Sequence, residues 1–112
     1  MVTRYVPDRG DVVWLNFTPQ AGHEQSGHSP ALVISPASYN GKTGLMLCCP
    51  VTSQQKGYPF EVPLDSKAGL SGVVLADQVK NLDWRARQAK RKGKAALETT
   101  ARAIELARVL LN

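Results

Sequence analysis

Along the first three-quarters of the chain apolar residues come in short runs bounded by glycine and proline; only the last segment repeats them at helical spacing. Val12, Val13, Trp14, Leu15 and Phe17 follow Gly10-Asp11 and are β-branched, aromatic or aliphatic, which predicts a first strand of about seven residues. Residues 18–22 end it. Residues 31–34 are four apolar positions between Pro30 and Pro36, a run too short for a helix, so a buried second strand is predicted over 30–35. Residues 37–44 hold Asn40-Gly41 and Gly44, the signature of a turn with left-handed positions. A third strand over 45–51, antiparallel to the second, follows. Residues 60–64 alternate like a half-exposed strand that Pro63 confines to an edge. A short buried strand is predicted over 73–76, continuing as a bent strand through 77–80 toward 82–84.

At the C-terminal end Leu97, Ala101, Ile104, Ala107 and Leu111 recur at helical spacing, with Leu106 and Leu110 beside them. Glu98, Arg102 and Glu105 share the opposite face, and Glu98 and Arg102 are spaced to pair at i,i+4. Five or six short strands and one amphipathic helix predict a mainly β protein, a small barrel or sandwich with the C-terminal helix covering one side.

The 112 residues suffice for one core, so 1–112 is expected to be a single domain. With 43% hydrophobic and 21% charged residues, the composition is that of a soluble globular protein. Cys48 and Cys49 are adjacent, so on a strand they point to opposite faces and are expected to be reduced, buried and unpaired. No Cys-x-x-Cys or His-x-x-x-His spacing exists, and neither a metal site nor a cofactor is expected. No apolar run approaches the roughly 20 residues of a membrane span, and residues 1–8 lack the apolar core of a leader; the expected location is the cytoplasm.

Charge sharpens this picture. Of the net +5, residues 80–94 carry +6, from seven basic residues against Asp83 alone, while the rest of the chain sums to −1. Such a concentration suits a polyanion such as RNA, or an acidic peptide. The loop before Pro30 has the opposite character. It sets His23, Glu24, Gln25, Ser26, His28 and Ser29 between glycines, a composition for a solvent-reachable segment anchored to the core by the run that follows.

Six blocks of sequence, in order, carry a resemblance. They are Arg4-Tyr5-Val6-Pro7-Asp8-x-Gly10-Asp11, Gly22-His23-Glu24-Gln25, Gly27-His28-x-Pro30 through Pro36, Cys49-Pro50-Val51-Thr52-Ser53, Lys56-Gly57-Tyr58-Pro59-Phe60-Glu61-Val62, and Gly72 through Val79. Together they resemble the MazF/PemK/Kid family of toxin endoribonucleases. The resemblance implies an SH3-like β-barrel of the MazF/CcdB toxin type with a C-terminal helix. It also implies a homodimer with an RNA groove across its interface, and an antitoxin of MazE type whose flexible acidic tail competes for that groove.

RNA carries its own nucleophile, the 2′-hydroxyl. A protein must take that proton, stabilise the charge on the phosphorane and protonate the departing 5′-oxygen, giving a 2′,3′-cyclic phosphate and a 5′-hydroxyl without metal. His23, Glu24 and His28 are candidates for the proton transfers, and the resemblance singles out Glu24. Thr52 and Ser53 follow a strand and can offer hydroxyls to a phosphate, a role the family gives the threonine. Asp77 and Gln78 end another strand, where the acid suits acid–base work and the amide suits a base edge. Tyr58, beside Gly57, is the aromatic best set to stack on an unpaired base. Gln25, Lys56, Lys80, Arg85 and Arg87 complete the expected RNA contacts. Where the family has Gly-x-Arg-Pro, this chain has Ser29 before Pro30, and where some relatives carry a second arginine it has Leu75. Serine donates one hydrogen bond and no charge, so a weak or dead nuclease is expected unless Arg85 or Arg87 supplies the cation. Two other readings stand beside this one: a gyrase-binding toxin like the structurally related CcdB, whose Trp-Gly-Ile end is here Leu110-Leu111-Asn112, and an RNA-binding barrel without turnover.

Overall fold

Val12 and Val13 are neighbours in sequence and both fully buried, on opposite sides of one strand. That pair sets the architecture, because a strand buried on both faces needs a layer above and a layer below. The computed structural model describes residues 5–16, 28–64 and 69–112. Its elements are β1 (Asp11–Asn16), β2 (His28–Val33), α1 (Ala37–Thr43), β3 (Leu45–Thr52), β4 (Glu61–Pro63), β5 (Val73–Leu75), β6 (Lys80–Asp83), β7 (Lys90–Lys94) and α2 (Leu97–Val109). The strands pair antiparallel in the order β4-β5-β3-β2-β1-β7, with β6 also on β3. The path has two ends among the described residues, so the sheet is strongly folded rather than a closed ring.

Two clusters fill the two sides. Val12, Leu32, Cys49, Val51 and Val74 meet Ala103 of α2. Val13, Leu15, Ala31, Val33, Met46 and Cys48 meet Trp84. Cys48 and Cys49 therefore belong to different clusters, are free, and are inert, burial pushing each thiol up to about 12. β3 is the pivot: its first half pairs with β6, Leu45 opposite Asp83, and its end pairs with β5, Thr52 opposite Val73.

The mainly β fold with a C-terminal helix is as the sequence leads one to expect, and Pro63 lies in an end strand of the path. Five local expectations change. The bent strand expected through 77–80 is a turn after β5, which ends at Leu75, and β6 starts only at Lys80. β2 runs over His28–Val33, beginning earlier and ending earlier than 30–35. The turn expected over 37–44 is the helix α1, whose C-terminal Gly44 takes the left-handed conformation and donates to the Asn40 carbonyl at 3.0 Å. Asn40 is buried, not a turn tip: its amide donates to Pro7 O (2.8 Å) and Ser35 O (3.0 Å), and its Oδ1 accepts from Ser35 Oγ (2.6 Å).

The basic stretch also contains a strand, β7, paired with β1 at an end of the path. It has no apolar residue to announce it. The buried carboxylate of Asp11 draws it in instead, lying 3.6 Å from both Arg91 and Lys94 and accepting a hydrogen bond from Tyr5 Oη at 2.6 Å. Finally, α2 is rotated from the expected face. Thr100 and Ala103 are buried with Ile104 and Leu106 half-buried against the core, whereas Leu97 and Leu111 are 84% and 86% exposed. Small residues let the helix approach the sheet closely. Arg102 pairs with Glu105 rather than Glu98.

Candidate active site

The end of β3 and the turn after β5 converge. Thr52, Gln54, Lys56, Tyr58, Glu61, Leu75, Asp77 and Gln78 line one cavity of about 230 Å³. Five of the sequence-derived candidates, Thr52, Lys56, Tyr58, Asp77 and Gln78, thus meet in one place. Ser53 is exposed beside them but is not part of the lining. A larger groove of about 700 Å³ lies elsewhere, lined by apolar residues including Ile34, Leu47, Val79 and Ile104. Its polar lining is Arg9, Ser35, Tyr39 and Arg108, with no carboxylate to take part in proton transfer.

Local structure explains the convergence. Thr52 closes β3, and its Oγ1 accepts the Gln54 amide hydrogen at 3.2 Å, which leaves the hydroxyl proton to be donated. Beneath it, Gly72 has φ +105°, and a Cβ there would meet the Thr52 carbonyl oxygen at 2.6 Å. Glycine is required for the two segments to come this close. Across the cavity, Ala76 N–H donates to Phe60 O at 3.0 Å and Gln78 N–H to Leu75 O at 3.0 Å, fixing the turn that carries Asp77 and Gln78.

Ser29 approaches from β2. It pairs with Leu15 of β1, and His28 with Asn16. On the other side Ala31 pairs with Pro50, the last pair of the β2–β3 ladder, and Ser29 and Thr52 each lie two residues beyond it. Ser29 shares a face with Ala31 and Val33, and Thr52 with Pro50 and Cys48, which is the same side of the sheet.

The cations divide. Lys80 opens β6 opposite Cys48. Arg87 donates through Nη1 to Asn16 O at 3.1 Å, at the end of β1 that pairs with His28. As the cross-strand partner of Cys48, Lys80 shares its side of the sheet, the side of Thr52 by strand alternation. Arg85 goes elsewhere: its guanidinium stacks 4.8 Å from the Trp84 ring and reaches Gly41 O at 3.5 Å, beside α1. Arg91 and Lys94 face Asp11, and Lys92, the extra residue of a bulge opposite Val12 and Val13, sits 4.9 Å from the Trp14 ring. His23, Glu24 and Gln25 lie outside the described residues, as does Phe17.

Two lining residues escape the sequence reading, Gln54 and Glu61. The alternation of residues 60–64 made Glu61 an ordinary outward position. Its signal is a carboxylate closing a loop rich in glycine and proline, where turn amides need an acceptor.

The sequence pattern of PemK-like, MazF-like toxins of type II toxin–antitoxin systems matches residues 8–110. The chain is 58% identical over 98 residues to the endoribonuclease toxin MazF of Escherichia coli (strain K12), covering 88% of this chain and 87% of that protein. The crystal structure of MazF (Form-I) from Deinococcus radiodurans superposes with a TM-score of 0.92 at 59% identity, covering 96% of this chain and 98% of that one. A chain of MazE-MazF (Form-II) from the same organism gives 0.86 at 52% identity, covering 97% and 98%. Sequence pattern, relative and fold agree over nearly the whole length, and the chain belongs to the PemK-like, MazF-like toxins of type II toxin–antitoxin systems.

Proposed function

We propose that this chain, residues 1–112 as one domain, is the endoribonuclease toxin of such a pair, acting in the cytoplasm on single-stranded RNA without a metal or cofactor. The observation that carries the reading is the cavity that gathers the Thr52 hydroxyl, the Asp77 carboxylate and the Gln78 amide beside the exposed Tyr58 ring. The E. coli relative named an endoribonuclease toxin, 58% identical, supports it.

In the reaction, the 2′-oxygen attacks its own phosphorus as its proton leaves to a base, and the bond to the 5′-oxygen breaks as that oxygen gains a proton. Glu24 is assigned the first proton and Thr52 Oγ–H a non-bridging oxygen. Asp77 takes part in proton transfer, Gln78 reads a base edge, and Tyr58 stacks on a base. Lys56, Lys80 and Arg87 contribute positive potential toward the phosphates. His23, Gln25, His28 and Ser53 are further RNA contacts. Arg85, held on Trp84 and Gly41, is left out of this set.

Ser29 brings no charge to the start of β2, two residues beyond the pair Ala31–Pro50. Losing one preorganised donor commonly costs about 10² to 10³ in rate, so turnover by this chain is low. That favours a second reading in which the barrel binds RNA with little cleavage. Incubating the chain and its Ser29→Arg variant with an unstructured RNA in EDTA separates the two: cleavage to cyclic-phosphate ends by the arginine variant supports the nuclease reading.

The active unit is a homodimer joined through the apolar groove between α2 and the α1–β3 side, where Tyr39, Leu47, Val79 and Leu111 are all exposed. Its partner is an antitoxin with an acidic flexible segment; the MazE-MazF structures of the Deinococcus relative support that assignment. No helix among the described residues is long and apolar enough to cross a membrane.

A further inference from the structure

The loop between β3 and β4 carries Gln54, Lys56 and Tyr58 at the mouth of the cavity, and residues 53–59 are exposed throughout. An exposed seven-residue loop pays the full entropy of ordering when it closes on a flexible ligand, unless something orders it beforehand. Here one side chain does so. The carboxylate of Glu61 accepts the Lys56 amide hydrogen, at 3.2 Å from Oε1 and 3.0 Å from Oε2, and the Gly57 amide hydrogen at 2.9 Å on Oε1. Its own N–H donates to Tyr58 O at 3.1 Å. Glu61 therefore holds the two amides before the residue that presents the ring and that residue's own carbonyl, and Tyr58 stands 60% exposed.

The other wall is reached through the backbone. Glu61 pairs with Leu75 across β4 and β5, and Phe60 O holds Ala76 N–H. Leu75 and Ala76 lead directly into Asp77 and Gln78. The backbone of Phe60 and Glu61 thus joins the two arms, a link the Glu61 side chain does not make.

Charge decides what Glu61 does there. A free carboxylate at the mouth of a cavity for a polyanion would repel it. Both oxygens of Glu61 instead accept hydrogen bonds from backbone N–H groups of the loop, so the side chain is engaged in holding it.

We infer that Glu61 is a positioning residue that preorganises the Lys56–Tyr58 arm for an unpaired nucleotide. The inference rests on the RNA reading above. Its action is on binding, through Tyr58, and not on the chemical step.

The test uses the full-length chain and a short unstructured RNA with 2′-O-methyl riboses, which binds without being cut. Affinities are measured by fluorescence anisotropy for the unsubstituted chain, Glu61→Ala, Glu61→Gln, Tyr58→Ala and the double variant Glu61→Ala/Tyr58→Ala. Glu61→Ala weakens binding about tenfold, as removal of charge-assisted hydrogen bonds that order a ligand-binding loop should. Glu61→Gln, which keeps one acceptor oxygen, recovers part of the loss. The double variant binds no more weakly than the worse single variant, since both act through one ring. In the Ser29→Arg background with cleavable RNA, Glu61→Ala raises KM and leaves kcat within about twofold. Full affinity in Glu61→Ala, or losses that simply add, overturns the positioning role while leaving the RNA reading intact. If the unsubstituted chain binds no RNA, the RNA reading itself falls and this role with it.

Discussion

Arg87 and Asn16 hold each other by two reciprocal hydrogen bonds: the Asn16 amide donates to Arg87 O at 3.1 Å and the Arg87 guanidinium donates to Asn16 O at 3.1 Å. Since Asn16 pairs with His28, this fixes a cation beside the strand residue before Ser29. Arg87→Ala should weaken RNA binding and lower the slope of log K against log salt by about one, the signature of one lost phosphate contact. Arg85→Ala should do neither, because its guanidinium lies beside α1, over Trp84 and near Gly41 O, rather than at the end of β1 that pairs with His28. Salt titrations of the two variants decide the matter; a larger effect from Arg85 would refute the assignment.

Thr52 is supported from beneath by a glycine that admits no side chain. Gly72→Ala combines a left-handed backbone with a Cβ 2.6 Å from Thr52 O, and is expected to destabilise the fold by about 1–3 kcal/mol in urea unfolding. Thr52→Val should separate chemistry from fold. It keeps the branched shape, removes the donor, and in the Ser29→Arg background should lower kcat about 10²-fold with a small change in urea midpoint.

Asp8 acts at a distance on α1, whose own N-cap, Pro36, makes no side-chain cap bond. Its carboxylate accepts the Ala37 amide hydrogen at 2.9 Å and the Arg9 amide hydrogen at 2.9 Å, and these bonds, Ala37's first, hold its pKa below the ordinary carboxylate value. A depressed folded pKa contributes stability that is present above the unfolded value, near pH 4, and is lost as pH falls through the folded value. Asp8→Ala should therefore unfold at lower urea than the unsubstituted chain at pH 7, and the two should converge as pH falls through the folded value. A difference that persists unchanged in acid would show that the effect is packing.

The α2 side offers a concrete test of assembly. Leu111 is 86% exposed at the edge of the apolar groove, where a charge would cost little in a monomer and much in a dimer. Light scattering should find the unsubstituted chain dimeric and Leu111→Asp monomeric with its circular dichroism unchanged. A Leu111→Asp dimer would put the interface elsewhere.

How far the sequence speaks for itself varies with the physics of each element. β1, β2 and β3 are legible because Val12, Val13, Leu32, Val33 and Met46 are buried, and burial writes apolar residues into sequence. β7 is written in Lys90, Arg91, Lys92 and Lys94, since an end strand can be held by its ladder and by Asp11 with no apolar side chain. α1 hides because Asn40, which looks like a turn residue, is instead a buried hydrogen-bond hub. α2 shows its period but not its orientation: small Thr100 and Ala103 dock, and the longer leucines stay outside. In the site, Thr52, Asp77 and Gln78 are legible as polar residues at strand ends, and Lys56 and Tyr58 as a cation and an aromatic in the loop after β3. Glu61 is not, because its role lies in which amides it faces, and alternation carries no record of that.

On the reading proposed above, the end of this sheet is a ribonuclease centre that lacks one cation at position 29. The most direct measurement is cleavage of a long unstructured RNA in EDTA by the unsubstituted chain and by Ser29→Arg, with the ends of every product mapped. The account predicts at least a tenfold faster cut by Ser29→Arg, leaving 2′,3′-cyclic phosphate and 5′-hydroxyl ends. Equal rates would contradict the role given to position 29, and no cleavage by either folded dimer would contradict the nuclease itself.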